Sequence, residues 1–424
     1  MKRIKKFFKI FGPGVITGAA DDDPSGIATY TQTGAQFGFG QLWTVIFMYP
    51  LMVAVQEASA RIGAVTGKGL ASVIRQNYSN KILYATVGLL VIANTINIGA
   101  DIGAMAAAAN LIFPLPFTAL AIIFTAIILI LEIFTSYAVY SKILKWLALS
   151  LLAYPLTALI TGVNWGEALK ATFLPNIEFS FAFLFIITGV LGTTISPYMF
   201  FWEASEEVEE EIEQHKIQKN GKPRIGPRFL KNLRMDNLIG MFISELATWF
   251  IIVVGASVLH VNNILNIGTA ADAARALEPL VQNFPNAGFL AKLIFATGII
   301  GLGFLAVPVL AGSASYALSE TFSWHEGLYR KLKQAHGFYG IITIATLIGL
   351  LINFIGINPI KALIFTAVFN GVAAIPLIFL IAKISSDKKI MGERKNGRLL
   401  KLFIWITFVV MLLSALAMFI AFVH

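Results

Sequence analysis

Along this chain a run of about 20 mainly apolar residues returns again and again, each long enough to cross a hydrocarbon layer of roughly 30 Å. The runs fall at 11–39, 41–64, 82–109, 117–135, 144–162, 179–210, 235–260, 287–320, 338–355, 359–382 and 399–422, eleven in all. Of the 424 residues 57% are hydrophobic and 13% charged, against roughly a quarter charged in a soluble chain. The expectation is an all-α, polytopic membrane protein of eleven transmembrane helices, one domain over 1–424, with no separate soluble domain. The start, "MKRIKKFFKIFGPGVITGAA", imitates a secretory signal, but the spans that follow make it read as a retained first helix.

The formal charge of +9 is a topology signal rather than a nucleic-acid patch. With the N-terminus in the cytoplasm, inner segments hold 28 Lys/Arg and outer segments 4, namely Lys170, Arg275, Lys292 and Lys361. Cytoplasmic loops are expected to be the Lys/Arg-rich ones, so the N-terminus is expected inside, the C-terminus outside, and the chain in the cell membrane. Cysteine is absent, which excludes disulfides, iron–sulfur clusters and thiolate metal sites.

The first span contains "GAADDDPSGIATY". Each ionised Asp at mid-membrane costs about 2.5–3.5 kcal/mol, and Pro24 and Gly26 weaken the helix around Asp21, Asp22 and Asp23. Unwound backbone survives at this depth only when it faces protein or a water-filled cavity. The reading is a discontinuous helix whose carboxylate and free carbonyls aim at a cation; the alternative is a kink near the inner interface with snorkelling carboxylates. Span six, "FLFIITGVLGTTISPYMFFWEASEEVEEE", breaks in the same way at Pro197. The two breaks lie five helices apart, so their spans cross in opposite directions. Paired interruptions in inverted halves point to a secondary-transporter site at the midplane. Residues 1–165 and 175–383 then form the two repeats, and 399–422 is an added span.

These residues resemble the NRAMP family of divalent metal transporters. "GPGVITGAADDDPSG" is similar to its span-one "GPG…DPGN" signature and "GTTISPY" to its span-six "A-x-x-M-P-H" signature. The resemblance implies a LeuT-like inverted repeat of spans 1–5 and 6–10 plus an extra helix. It also implies a metal site of Asp23, the carbonyl of Ala20, Gly26 in place of an Asn, the carbonyl of Thr193, Ser196 in place of a thioether Met, and Asn370 from span ten. The family's His falls on Tyr198, and its acidic pair in span three falls near "NTINIGAD", at Asn97 and Ala100, with Asp101 one residue on.

The departures carry chemical meaning. A thioether favours transition metals, whereas oxygen suits Mg, Ca and Mn. Losing the Met and the Asn leaves an oxygen-only, roomier site fit for a partly hydrated Mg²⁺, similar to the family's magnesium-transporting branch. Mg²⁺ and Mn²⁺ are the expected substrates, with no resident cofactor. Proton coupling is expected to be weak or absent, because the five histidines lie near or beyond span ends and tyrosine ordinarily titrates at about 10. Asp101 would restore coupling if it faces the cavity. The alternatives are a proton-coupled Mn²⁺/Fe²⁺ importer, a Na⁺-coupled symporter of organic solutes, and a channel. A hydrolase lacks its set: there is no HExxH, no GxSxG and no Cys.

Other residues carry local expectations. Glu57 and Arg61, four apart, should form an ion pair. Glu245, within span seven, serves either function or a buried hydrogen bond. The seven glutamates of 203–213 should form a solvated helix end balanced by the basic loop 216–234, or else an inner vestibule that concentrates cations. The sequence sets no oligomeric state.

Overall fold

A computed structural model describes residues 13–134, 149–217 and 223–423. The basic residues of 1–12 and 142–145 therefore lie outside the described residues. Span one is two helices, α1 (Pro13–Asp21) and α2 (Pro24–Phe37), and spans two to four are α3 (Trp43–Thr66), α4 (Asn80–Asn110) and α5 (Phe117–Phe134). The described part of span five ends in α6 (Ala153–Ile160). Span six is again two helices, α7 (Phe181–Thr194) and α8 (Pro197–Glu213). Then come α9 (Pro227–Val254), prolonged by a π turn Gly255–His260, and α10 (Ala287–Phe322). Spans nine to eleven are α11 (His336–Ile352), α12 (Pro359–Ser386) and α13 (Arg398–Val423). Among the described residues nine helices are long and apolar enough to cross a membrane; broken span one and partly described span five complete the expected eleven. The main boundary differences are longer helix ends next to the Lys/Arg-rich loops, such as 386 for 382 in span ten.

Burial sorts the helices into centre and rim. In span six, 94% of the most apolar window is buried, against 22% in α13. Helices in lipid gain no hydrophobic drive from meeting one another, so close approach rests on small residues. Gly18 of α1 lies so near the backbone of Gly240 in α9 that a Cβ there would run into that carbonyl. Gly192 of α7 meets the backbone of Ala367 and Gly371 in α12 in the same way. These two approaches fix both broken spans against the rest of the bundle.

The two faces of the bundle are identifiable by their loops. Arg61 donates to the carbonyl of Arg394 at 2.8 Å, Arg394 to that of Ile225, and Arg75 to Ser323 Oγ. Four basic segments thus share one face. On the opposite face Trp43 donates to Asn176 O at 3.2 Å and Asn358 to Gly268 O at 2.9 Å. A cavity of about 990 Å³ opens on that side, with Gln32, Ile96, Ala100, Ile186, Asn353 and Phe365 among its walls. The side chain of Gln32 holds the rim: its amide donates to Leu265 O at 3.0 Å and its oxygen accepts from Ile267 N at 2.8 Å.

Candidate metal site

Both breaks begin their second helix with proline, which lacks a backbone donor and is pre-set for the first helical turn. Asp23 caps α2: its Oδ1 accepts from Gly26 N at 2.7 Å and from Ser25 Oγ at 2.6 Å. The second oxygen, Oδ2, accepts from Asn97 Nδ2 of α4 at 3.2 Å. Asp23 is 1% exposed. The backbone between α1 and α2 leaves the Ala20 carbonyl to a non-helical partner, the hydroxyl of Tyr198, which donates to it at 3.2 Å.

Across from this, Ser196 closes α7. Its hydroxyl donates to the carbonyls of Gly192 at 2.6 Å and Thr193 at 2.8 Å, which leaves the oxygen's lone pairs facing away from those bonds. The Thr193 hydroxyl is buried without a hydrogen-bond partner. A Cβ on Gly26 would sit 3.3 Å from that hydroxyl and 3.2 Å from Tyr30 Cε2. The space vacated by the expected Asn is thus not all free: the Tyr30 ring leans into it, tied to Thr194 Oγ1 at 2.9 Å. The site is less roomy than the sequence suggests.

Asn97 is the hub behind Asp23. The same amide nitrogen reaches Asp101 Oδ2 at 3.1 Å, and the Asn97 oxygen accepts from Asn370 Nδ2 at 3.2 Å. Asn370 therefore bonds to Asn97 rather than to Asp23, with its own oxygen unpartnered, as is Asp101 Oδ1. Ala100 lines the outer cavity one turn above Asn97. Residues 20, 23, 26, 193 and 196 come together, and Asn370 stands one residue behind. Sequence reading missed the Thr193 side chain and Tyr30; the latter's signal is its place one turn after Gly26. Among the described residues no three acidic or imidazole groups gather as a ready metal cluster. The site offers one carboxylate and several neutral oxygens, the donor chemistry of hard cations.

Elsewhere the outcomes are mixed. Glu57 pairs with Arg61 at 3.7 Å and also with Arg234 at 3.4 Å. The glutamates of α8 form a solvated end only in part: Glu213 is exposed and Lys216 of the basic loop acts on Glu210 and Glu211, but Glu203, Glu207 and Glu211, on one helical face, are buried. α1, α9 and α10 cover that helix, as Thr17 and Asn237 bond Glu203, and Tyr316 bonds Glu209. Glu245 is buried, and among the described residues neither of its oxygens has a hydrogen-bond partner, so the buried hydrogen bond expected as one alternative is not found there.

Comparison with known proteins adds a family and a fold. A profile of the family described as "natural resistance-associated macrophage protein-like" matches residues 14–421. A divalent metal cation transporter MntH from Caldanaerobacter subterraneus subsp. tengcongensis is 27% identical over 404 residues, covering 92% of this chain and 87% of its own. One of the same description from Chromohalobacter salexigens is 25% identical over 397 residues, with coverages of 92% and 85%. Among solved structures, a manganese transporter of Eremococcus coleocola superposes with a TM-score of 0.76 at 16% identity, over 97% of this chain and 86% of that one. The transporter Mhp1 gives a TM-score of 0.60 at 15% identity, over 97% and 92%; at these identities the likeness is one of fold.

Proposed function

The chain belongs to the natural resistance-associated macrophage protein-like family, and from that premise we propose that it carries divalent metal cations, Mg²⁺ and Mn²⁺ foremost, across the cell membrane by alternating access. The observation that carries the reading is the meeting of the two broken helices around Asp23: Ala20 bonds Tyr198, and Gly26 faces Thr193. Asp23 supplies the charge. The carbonyls of Ala20 and Thr193 and the hydroxyls of Thr193 and Ser196 supply neutral oxygens. No sulfur or imidazole stands at the carried-over positions, which favours Mg²⁺ and Mn²⁺ over softer metals. Water completes the shell, in keeping with the reluctance of Mg²⁺ to dehydrate.

In the state described, the cavity on the face away from the basic loops approaches Asn97 through Ile96 and Ala100. The other side is shut by α1 on α9. An ion entering from the cavity binds Asp23 and releases the Ala20 carbonyl from Tyr198; release requires α1 to leave α9. With the basic loops in the cytoplasm this is uptake, and moving a +2 ion through 100 mV yields roughly 4.6 kcal/mol, enough to drive it without a coupled ion. The halves 1–165 and 175–383 act as the inverted repeats.

A second reading has one observation in its favour: Asp101 is linked through Asn97 to Asp23, which suits a proton-coupled Mn²⁺/Fe²⁺ importer. Uptake of Mg²⁺, Mn²⁺ and Ca²⁺ into proteoliposomes with an internal pH dye tests both. Mg²⁺ and Mn²⁺ entry without acidification supports the uncoupled carrier; acidification that tracks the metal supports coupling, and entry of none of the three overturns the assignment.

A further inference from the structure

Asp23 turns toward α4, but its two neighbours turn the other way. Ser244 of α9 donates to Asp21 Oδ2 at 2.5 Å and lies 3.5 Å from Asp22 Oδ1. The next residue along α9, Glu245, interacts electrostatically with Asp22, and Thr248, one turn on, stands beside the same carboxylate. Asp21, Asp22, Ser244, Glu245 and Thr248 are at most 3% exposed. Among the described residues no Lys, Arg or His stands among the main electrostatic influences on the three carboxylates. Among the described residues neither oxygen of Glu245 has a hydrogen-bond partner, and one oxygen of Asp21 lacks one too.

A carboxylate buried in the span without a partner is costly, and hydroxyls alone compensate little of that cost. We propose that Asp22 and Glu245, with the Ser244 and Thr248 hydroxyls, form a second divalent-cation site between the first and seventh spans. Two carboxylates plus hydroxyls and water are the donor set of Mg²⁺ or Mn²⁺. A monovalent ion would leave one of the two charges uncompensated.

The site lies across α1 from Asp23, in the seam between α1 and α9 that release must open. Along α1 toward the basic face, the next polar partners are Glu203, which takes hydrogen bonds from Thr17 and Asn237, and Asp236, which takes one from Gly14 N at 2.8 Å. A cation leaving Asp23 toward the basic face therefore meets Asp22 and Glu245 first. The second site is a stopping point between the primary site and the cytoplasm. This role rests on the proposed transport function; the binding does not.

Mn²⁺ binding to the purified full chain, followed by the electron paramagnetic resonance of free Mn²⁺, tests it. The wild type should take up about two Mn²⁺, Glu245→Gln about one, and Asp23→Asn about one, with excess Na⁺ displacing neither. Thermal unfolding of each variant without metal checks that it is folded, and Glu245→Asp should recover the second ion where Gln does not. A folded Glu245→Gln that keeps as many Mn²⁺ as the wild type, or loss to Na⁺ of the ion that Glu245→Gln removes, overturns the proposal. Failure of the main reading looks different: Asp23→Asn would keep as many ions as the wild type, while Glu245→Gln still loses one.

Discussion

Tyr198 donates its hydroxyl to the Ala20 carbonyl across 3.2 Å, and this bond bridges the two interrupted spans at the depth of the site. In the proposed site the Ala20 carbonyl is a ligand, so the Tyr198 hydroxyl competes with the ion for that oxygen. A typical net hydrogen bond contributes about 0.5–1.5 kcal/mol. Tyr198→Phe should release the carbonyl and lower the apparent KM for Mn²⁺ by about three- to tenfold, read from initial uptake rates in proteoliposomes. An unchanged or higher KM would mean that the Ala20 carbonyl is not a ligand.

Selectivity should follow the softness of position 196. Ser196→Met replaces a hydroxyl by a thioether beside the Thr193 carbonyl. Uptake of Cd²⁺ relative to Mg²⁺ should rise by about tenfold or more. Isotope competition at equal concentrations is the measurement, and an unaltered ratio would remove Ser196 from the coordination shell.

How α1 closes the basic face can be tested at Gly18. An added methyl there runs into the Gly240 carbonyl, and overpacking of this kind typically costs about 1–3 kcal/mol. Because the clash exists only while α1 lies on α9, Gly18→Ala should favour the state open to the basic face. The chain has no cysteine, so a single Met241→Cys, buried in α9, reports on opening without background. Its labelling by a maleimide from the basic side should speed up several-fold in the Gly18→Ala background, whereas equal rates would show that α1 does not gate that face.

The loop after α10 gives a pH dependence. Burial, with Glu320 and then Glu209 nearby, pushes Glu326 from its ordinary 4.5 to about 9, against the pull of Arg75 and Arg330. A carboxyl whose value is raised by folding stabilises the packed form below its unfolded value, and that contribution is lost as pH climbs toward the folded one. Hydrogen exchange of the backbone over 324–331 should therefore accelerate between about pH 5 and pH 9 beyond its intrinsic rise. Glu326→Gln should flatten that excess; its persistence would assign the effect to another group.

The eleven spans and both breaks were legible because the signals are local. Lipid demands long apolar runs, and Asp23-Pro24 and Ser196-Pro197 interrupt two of them with residues that a continuous helix disfavours. Asn97 was reached only through the family resemblance, which paired it with Ala100 and left Asp101 one residue on, although Asn97 and Asp101 lie four apart and share a helical face. What Asn97 touches was not legible, because its bonds to Asp23 and Asn370 span 74 and 273 residues. The α8 glutamates misled for the opposite reason. Their local pattern is that of a solvated end, and it is the packing of α1, α3, α9 and α10 that buries Glu203, Glu207 and Glu211. Gly26 likewise reads as lost volume until the Tyr30 ring is seen beside it.

Mn²⁺ uptake by Asp23→Asn in proteoliposomes, at matched protein density and an imposed inside-negative potential, tests the central claim most directly. Replacing the charged oxygen by an amide should cut the initial rate by about 100-fold or more, since a divalent ion at mid-membrane loses its only directly carried-over carboxylate. Uptake equal to the wild type would contradict the account, because the meeting of the two broken helices would then not be where the ion binds.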